Sequence, residues 1–115
     1  MSPFEDMQKK YDKLLEKTLK EQDSYHGEPR DNLSQDVIIA HQAIISAIEE
    51  FEAMDWYMQR ADTCENKELK EILLHNMREE MEHASMLLEW LRRNNKDFNQ
   101  AVGKYIGQKG PIIKD

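Results

Sequence analysis

Apolar residues recur at helical spacing through most of this chain, and the pattern predicts an all-α protein. They return every three or four positions over about residues 33–61 and again over about residues 66–94, which indicates two long amphipathic helices. The second helix carries the clearer stripe, formed by Leu69, Ile72, Leu73, Met77, Ala84, Leu87 and Leu91. The short segment from Asp62 to Asn66 forces the two helices into an antiparallel hairpin.

Polar residues mark where two of the predicted helices begin. Asn66 is placed to cap the second long helix. Asp97 and Gln100 have the spacing of a capping box, which predicts a short helix over about residues 97–106. Gly107 then ends this helix, and an irregular tail follows it.

A further helix is predicted over residues 3–22, ahead of a linker that contains Gly and Pro. Its apolar positions recur at heptad-like spacing, at Phe4, Met7, Tyr11, Leu14 and Thr18. Such a narrow seam indicates an arm that docks on a partner or a neighbouring subunit, or one that is loosely held. We therefore divide the chain into an N-terminal helix with its linker, residues 1–27, and a main domain, residues 28–115.

The two long helices have broad apolar stripes that they cannot bury against each other alone. Small chains of this kind usually oligomerise. A homodimer whose two hairpins form a four-helix bundle is the simplest arrangement that covers both stripes.

Composition narrows the choice of partner and compartment. The net charge of −7 argues against nucleic acid and favours cations, although solvated helix faces rich in Glu give the same balance. Cys64 is the only cysteine, so no internal disulfide can form and a reducing, cytoplasmic setting is expected. No apolar run is long enough to span a bilayer, so no membrane association is expected.

Candidate metal ligands lie on the apolar stripe of the second long helix. Glu80 and His83 form a Glu-x-x-His pair, which places two ligands about one helical turn apart on the same face. Glu50 lies among apolar positions of the first long helix. Bundle-type di-iron sites take a Glu from each of two helices and a Glu-x-x-His from each of two others. This chain supplies one of each, so two copies would complete a site.

The spacing also allows a simpler interpretation. Acids on a core stripe need a partner, because an unpaired buried carboxylate is costly. Glu80 and His83 would meet that need by pairing with an arginine or with each other in a bundle core. On spacing alone, both the metal site and the structural ion pair remain open.

Three segments resemble one known family closely. They run from Ile48 to Arg60, from Leu74 to Met86 and from Leu88 to Asn94. The Asp-Trp-Tyr and Glu-Trp-Leu-Arg-Arg-Asn sequences inside them are the most specific. Together they resemble the encapsulated ferritins, and the likeness runs from about Glu28 to Ile112.

The resemblance implies a function and a ligand set. It implies a ferroxidase that oxidises Fe(II) with dioxygen at a di-iron centre across a homodimer interface. It further implies dimers arranged in a ring, usually a decamer, inside an encapsulin nanocompartment that stores the iron. Glu50, Glu80 and His83 would be the iron ligands, two irons would bind per dimer, and Zn, Mn or Ca could replace them. Tyr57 would lie near the metals as a further catalytic residue.

Accessory acids extend the predicted site. By the resemblance, Glu49 and Glu52 would lie where iron approaches, although their spacing alone favours a solvated acidic edge. His75, Glu79 and Glu82 lie at i, i+4 and i+7 and would form a secondary surface cation site, or else ordinary surface charge pairs.

The sequence differs from the family pattern at both ends, and two other functions are alternatives to a ferroxidase. The N-terminal helix is longer than the family pattern, and no encapsulin-targeting peptide is recognisable before Asp115. A rubrerythrin-like peroxidase is disfavoured, because the chain has no Cys pair and no second Glu-x-x-His. A non-catalytic acidic helical metal-binding or adaptor protein is the main alternative.

Overall fold

A computed structural model of the protein describes residues 2–22 and 25–114, without the side chains of residues 16–22. The described residues form four α-helices, one 3-10 turn and no strand, so the all-α prediction is confirmed. The helices are α1 (Pro3–Gln22), α2 (Gln35–Thr63), α3 (Lys67–Asn94) and α4 (Lys96–Tyr105), and the 3-10 turn spans Arg30–Asn32. None of these helices is long and apolar enough to cross a membrane.

The chain divides into two compact units, one ending at Gln35 and the other beginning at Asp36. The first unit contains α1, whose start is capped by Ser2, since its Oγ accepts a hydrogen bond from the Glu5 amide at 3.2 Å. The predicted seam of α1 is exposed at Phe4, Met7 and Tyr11. The side chain of Thr18 and residue Asp23 of the predicted linker lie outside the described residues. The predicted domain boundary at residue 27 stays a prediction.

In the second unit, α2 and α3 form an antiparallel hairpin. Only three residues separate Thr63 from Lys67. Asn66 caps α3 as predicted, because its side chain accepts a hydrogen bond from the Leu69 amide at 2.9 Å. At the opposite end, one cavity is lined by Asp36, Ile39 and Ala40 of α2 and by Trp90, Leu91 and Asn94 of α3, with Asn95 beside them.

The start of α4 differs from the prediction. Asn95 is its N-cap, because the Asn95 side chain accepts a hydrogen bond from the Phe98 amide at 2.9 Å. The capping box predicted at Asp97 and Gln100 is therefore wrong, since both residues lie inside the helix. Asn95 adopts an extended conformation (φ −140°, ψ 110°) and ends α3 as well. One residue thus separates the two helices, which the sequence pattern placed further apart.

Charged groups fix the corner between α3 and α4. Arg92 donates to both carboxylate oxygens of Glu89 at 2.7 Å, and Arg93 donates to one of them at 2.6 Å. Arg92 also donates to the side chain of Asn99 on α4 at 2.7 Å. These hydrogen bonds, from Arg92 first and Arg93 second, lower the pKa of Glu89 from 4.5 to about 2. Arg92 therefore joins Glu89 of α3 to Asn99 of α4.

Few residues are buried within one chain. Among the residues whose burial the structure describes, the buried hydrophobic ones are Ile38, Ala47, Ala61, Ala84 and Leu91, and three of these five are alanines. The predicted α3 stripe is buried at Ala84 and Leu91, whereas Leu69 and Ile72 are about half exposed. A two-helix hairpin with one short extra helix covers only part of each stripe. Apolar surface of this extent marks an interaction site.

Candidate metal centre

The hairpin brings Glu50 of α2 together with Glu80 and His83 of α3. Each of the three offers one ligand atom, and these atoms all lie within 4.8 Å of one another. His83 Nδ1 lies 3.4 Å from Glu50 Oε2 and 3.6 Å from Glu80 Oε2. These distances place two carboxylates around one imidazole nitrogen, and the role of the three side chains as metal ligands stays a prediction.

The surrounding sequence explains why these side chains meet. Glu80 and His83 share one face of α3 because they are three residues apart. Ala47 lies one turn before Glu50 and Ala84 directly follows His83, and both alanines are buried. Since the distance between two helix axes depends on the side chains at their contact, small residues at these two positions leave room for α2 beside α3.

One atom of the group lacks a hydrogen-bond partner. Glu50 Oε2 is buried and accepts no hydrogen bond from any described residue. A buried carboxylate oxygen without a partner costs free energy. A cation held between Glu50, Glu80 and His83 would supply the missing interaction.

The alternative to a metal site is a structural ion pair, and the structure argues against an arginine as the partner but not against His83. Within residues 2–22 and 25–114, no arginine forms an ion pair with Glu50 or Glu80; the arginine ion pairs found there belong to Glu89. Pairing of His83 with its two acidic neighbours remains compatible with the distances. Of the two ion-pair alternatives, the one with an arginine as partner therefore lacks support, and the one with His83 remains.

The donor set selects a class of metal. Two carboxylates and one imidazole suit Fe(II), Mn(II) or Zn(II), whereas an iron–sulfur cluster needs thiolates. Cys64, the single thiol, lies in the turn between α2 and α3, with its Sγ 3.5 Å from the Asn66 carbonyl oxygen. The group is also accessible, because the side chains of Glu50, Glu80 and His83 are 27%, 21% and 43% exposed. This single-chain group is half of the ligand set that a bundle-type di-iron site requires.

Comparison with known proteins decides the family. The EncFtn-like family model matches residues 24–109. The chain belongs to the EncFtn-like family. It is 47% identical over 85 residues to the encapsulated ferritin-like protein of Rhodospirillum rubrum, covering 74% of this chain and 61% of that relative. It therefore spans less than two thirds of that relative's length.

Two further relatives agree with this assignment. A ferritin-like protein of Thermotoga maritima is 44% identical over 92 residues, which is 80% of each chain. The crystal structure of a Nitrosomonas europaea protein superposes with a TM-score of 0.74 at 46% identity and covers 79% of this chain and 100% of that chain. The family resemblance read from the sequence is confirmed.

The remaining predicted site residues of this EncFtn-like chain lie outside the group of three. Tyr57 is half-buried, and its ring lies 5.7 Å from the Arg60 guanidinium. Glu49 and Glu52 are both exposed on α2. Their roles near the metals and on the iron path stay predictions.

The predicted secondary site is assembled only in part. His75 Nε2 lies 3.6 Å from Glu79 Oε1, with both side chains substantially exposed. Glu82 is exposed and joins neither of them in a cluster of metal-ligating groups among the described residues. Sequence reasoning missed a different contact, between Glu79 Oε2 and His83 Nε2 at 3.9 Å. The i, i+4 spacing of Glu79 and His83 was the signal that could have revealed it.

Proposed function

We propose that this EncFtn-like chain is a ferroxidase that oxidises Fe(II) to Fe(III) with dioxygen at a dinuclear centre shared by two copies of the chain. The observation that carries the proposal is the group of Glu50, Glu80 and His83, with ligand atoms within 4.8 Å of one another. A carboxylate from one helix and a Glu-x-x-His from another form half of a bundle-type di-iron site. A second copy of the chain, related by a two-fold axis beside this group, would supply the other half of the ligands.

The exposed apolar surface supports the dimer. Large apolar side chains on both helices of the hairpin are substantially exposed, among them Ile44 and Phe51 of α2 and Ile72 and Met81 of α3. Burying apolar surface contributes about 25 cal/mol per Å². Packing two hairpins into a four-helix bundle would bury these side chains and place the two groups of ligands face to face.

The chemistry follows from having two iron ions side by side. Fe(II) is the substrate, and each of two ions gives one electron to dioxygen. Two electrons and two protons from solvent convert one dioxygen to hydrogen peroxide, and two Fe(III) ions result. Four carboxylates from two chains would offset the higher charge of Fe(III).

Accessory residues and partners complete the proposal. Glu49 and Glu52, exposed on α2, would raise the local concentration of Fe(II) before it reaches Glu50. Tyr57 would donate a hydrogen bond or an electron near the metals. Dimers would join into a ring, with a decamer as the expected size. The ferric product would pass to a surrounding encapsulin shell in the cytoplasm.

Dioxygen consumption tests the proposal. Fe(II) is added anaerobically to the assembled protein, and air-saturated buffer follows in a stopped-flow cell. The wild type should consume dioxygen and form Fe(III) rapidly. Glu50→Ala, Glu80→Ala and His83→Ala should each abolish the rapid phase, because each removes a ligand of the iron pair.

Glu71→Ala is the matched control, since Glu71 is an exposed acid on the same helix as Glu80. It should retain the wild-type rate. Binding of Fe(II) by the wild type without dioxygen consumption would instead support a non-catalytic metal-binding or adaptor protein.

A further inference from the structure

The carboxylate of Glu79 lies between two histidines of α3. Its Oε1 lies 3.6 Å from His75 Nε2, and its Oε2 lies 3.9 Å from His83 Nε2. The other nitrogen of the same imidazole, His83 Nδ1, faces Glu50 and Glu80 at 3.4 and 3.6 Å. The two nitrogens of His83 therefore face two different acidic environments.

We propose that Glu79 is a positioning residue that holds the His83 imidazole with Nε2 protonated and turned outward, so that the lone pair of Nδ1 points at the metal centre. The inference rests on the proposed function, because it concerns the same centre. A neutral imidazole carries a proton on one nitrogen and a lone pair on the other. A metal-ligating histidine commonly donates its remaining N–H to a carboxylate, which fixes the ring orientation and the tautomer.

Glu79 is not one of the three candidate metal ligands. The ligand atoms of Glu50, Glu80 and His83 lie within 4.8 Å of one another, and Glu79 does not belong to this group. Glu79 contacts only the far nitrogen of the ring, so it acts on a metal through His83. His75 in turn contacts the other oxygen of Glu79.

The contact between Glu79 and His83 becomes a hydrogen bond only if one of the two side chains rotates slightly. Distances of 3.6 and 3.9 Å exceed those of hydrogen bonds, and such contacts often tighten only when the ligand binds. Glu79 and His83 are four residues apart on one helix, where a small side-chain rotation changes their separation. A cation drawn to Nδ1 would orient the ring and bring Nε2–H towards Glu79.

The expected effect is a loss of metal affinity. Removing such an outer carboxylate commonly weakens metal binding by about 10–100-fold. Glu79→Ala should therefore weaken Co(II) binding by that factor. Glu79→Gln should lie between wild type and Glu79→Ala, because an amide oxygen still accepts a hydrogen bond but lacks the charge that strengthens it.

The experiment measures Co(II) binding to the assembled full-length protein at one fixed pH. Calorimetry gives the affinity, and the visible absorption of bound Co(II) reports its ligand geometry. Glu71→Ala controls for the loss of one acidic charge on α3, and circular dichroism confirms that each variant keeps its helices. Glu79→Ala should weaken binding and alter the Co(II) spectrum, while Glu71→Ala should match the wild type.

A double-mutant cycle tests whether Glu79 acts through His83. In a His83→Ala background, Glu79→Ala should cause little further loss. An equal loss in both backgrounds would overturn the proposal, as would wild-type affinity and spectrum in Glu79→Ala. The proposed function fails separately, if the wild-type protein binds Fe(II) and Co(II) but does not consume dioxygen. If the wild type binds neither ion, both proposals are overturned.

Discussion

Replacing Ala84 by leucine tests whether close approach of α2 and α3 holds the metal ligands in place. Ala84 is 2% exposed and directly follows His83. Glu80, Ala84 and Leu91 share one face of α3, and Leu91 lines a cavity together with Ile39 and Ala40 of α2. That face is therefore directed at α2, where a leucine would have to displace the neighbouring helix.

The magnitude follows from packing. Overfilling a close-packed core costs about 1–3 kcal/mol, which lowers Tm by about 5–20 °C for a domain of this size. Helix axes lie about 8–10 Å apart depending on the side chains between them. A displacement of about 1 Å would lengthen the 3.4 Å contact between His83 and Glu50, and misplacement on that scale costs about 10²-fold in rate.

The assay combines a thermal melt, followed by circular dichroism, with stopped-flow oxidation of Fe(II). Ala101→Leu is the matched control, because Ala101 is exposed on α4 and leucine is an equally good helix former at either position. Ala84→Leu should lower both Tm and the rate, and Ala101→Leu should change neither appreciably. Unchanged oxidation by Ala84→Leu would refute the argument that the helix separation fixes the ligands.

Three further predictions follow from other parts of the structure. Glu52→Ala should slow oxidation at low Fe(II) but not at saturating Fe(II), because it lowers local supply and leaves the ligands intact; initial rates against Fe(II) concentration check this. Asn95→Ala should destabilise α4 by about 1 kcal/mol through loss of its cap, and Asp97→Ala by less, which amide hydrogen exchange in α4 would measure. The lowered pKa of Glu89, about 2 against 4.5, means that its contribution to stability is present above pH 4.5 and is lost as pH falls towards 2. Urea unfolding of Glu89→Gln and wild type should therefore differ most above pH 4.5 and converge at lower pH, whereas a constant difference across that range would contradict the assignment.

The helices could be predicted where local signals decide them. Asn66 follows the only strong break between the two long apolar patterns, and its cap forms as predicted. The first residue of α4 is harder to predict from the sequence, because Asn95 and Asp97 are both good N-cap residues and lie only two positions apart. The choice depends on the extended backbone of Asn95, which the spacing of polar residues does not specify.

The candidate site was predictable as far as helical register determines it. Glu50, Glu80 and His83 lie on apolar stripes, and an antiparallel hairpin with a short turn brings such stripes together. The i, i+4 spacing allows Glu79 to contact His83, but which imidazole nitrogen faces Glu79 depends on side-chain rotamers, which periodicity does not specify. The sequence predicts that part of the α3 stripe stays exposed in one chain, but periodicity does not specify that Leu69 and Ile72 are among the exposed residues.

Native mass spectrometry with Fe(II) added anaerobically tests the central claim most directly. If two chains share one centre, iron should be bound only by assemblies with an even number of chains, at two irons per pair. Glu80→Ala should lose this iron, while Glu71→Ala should retain it. A monomer or another odd-numbered assembly that binds iron tightly would contradict a shared di-iron ferroxidase centre.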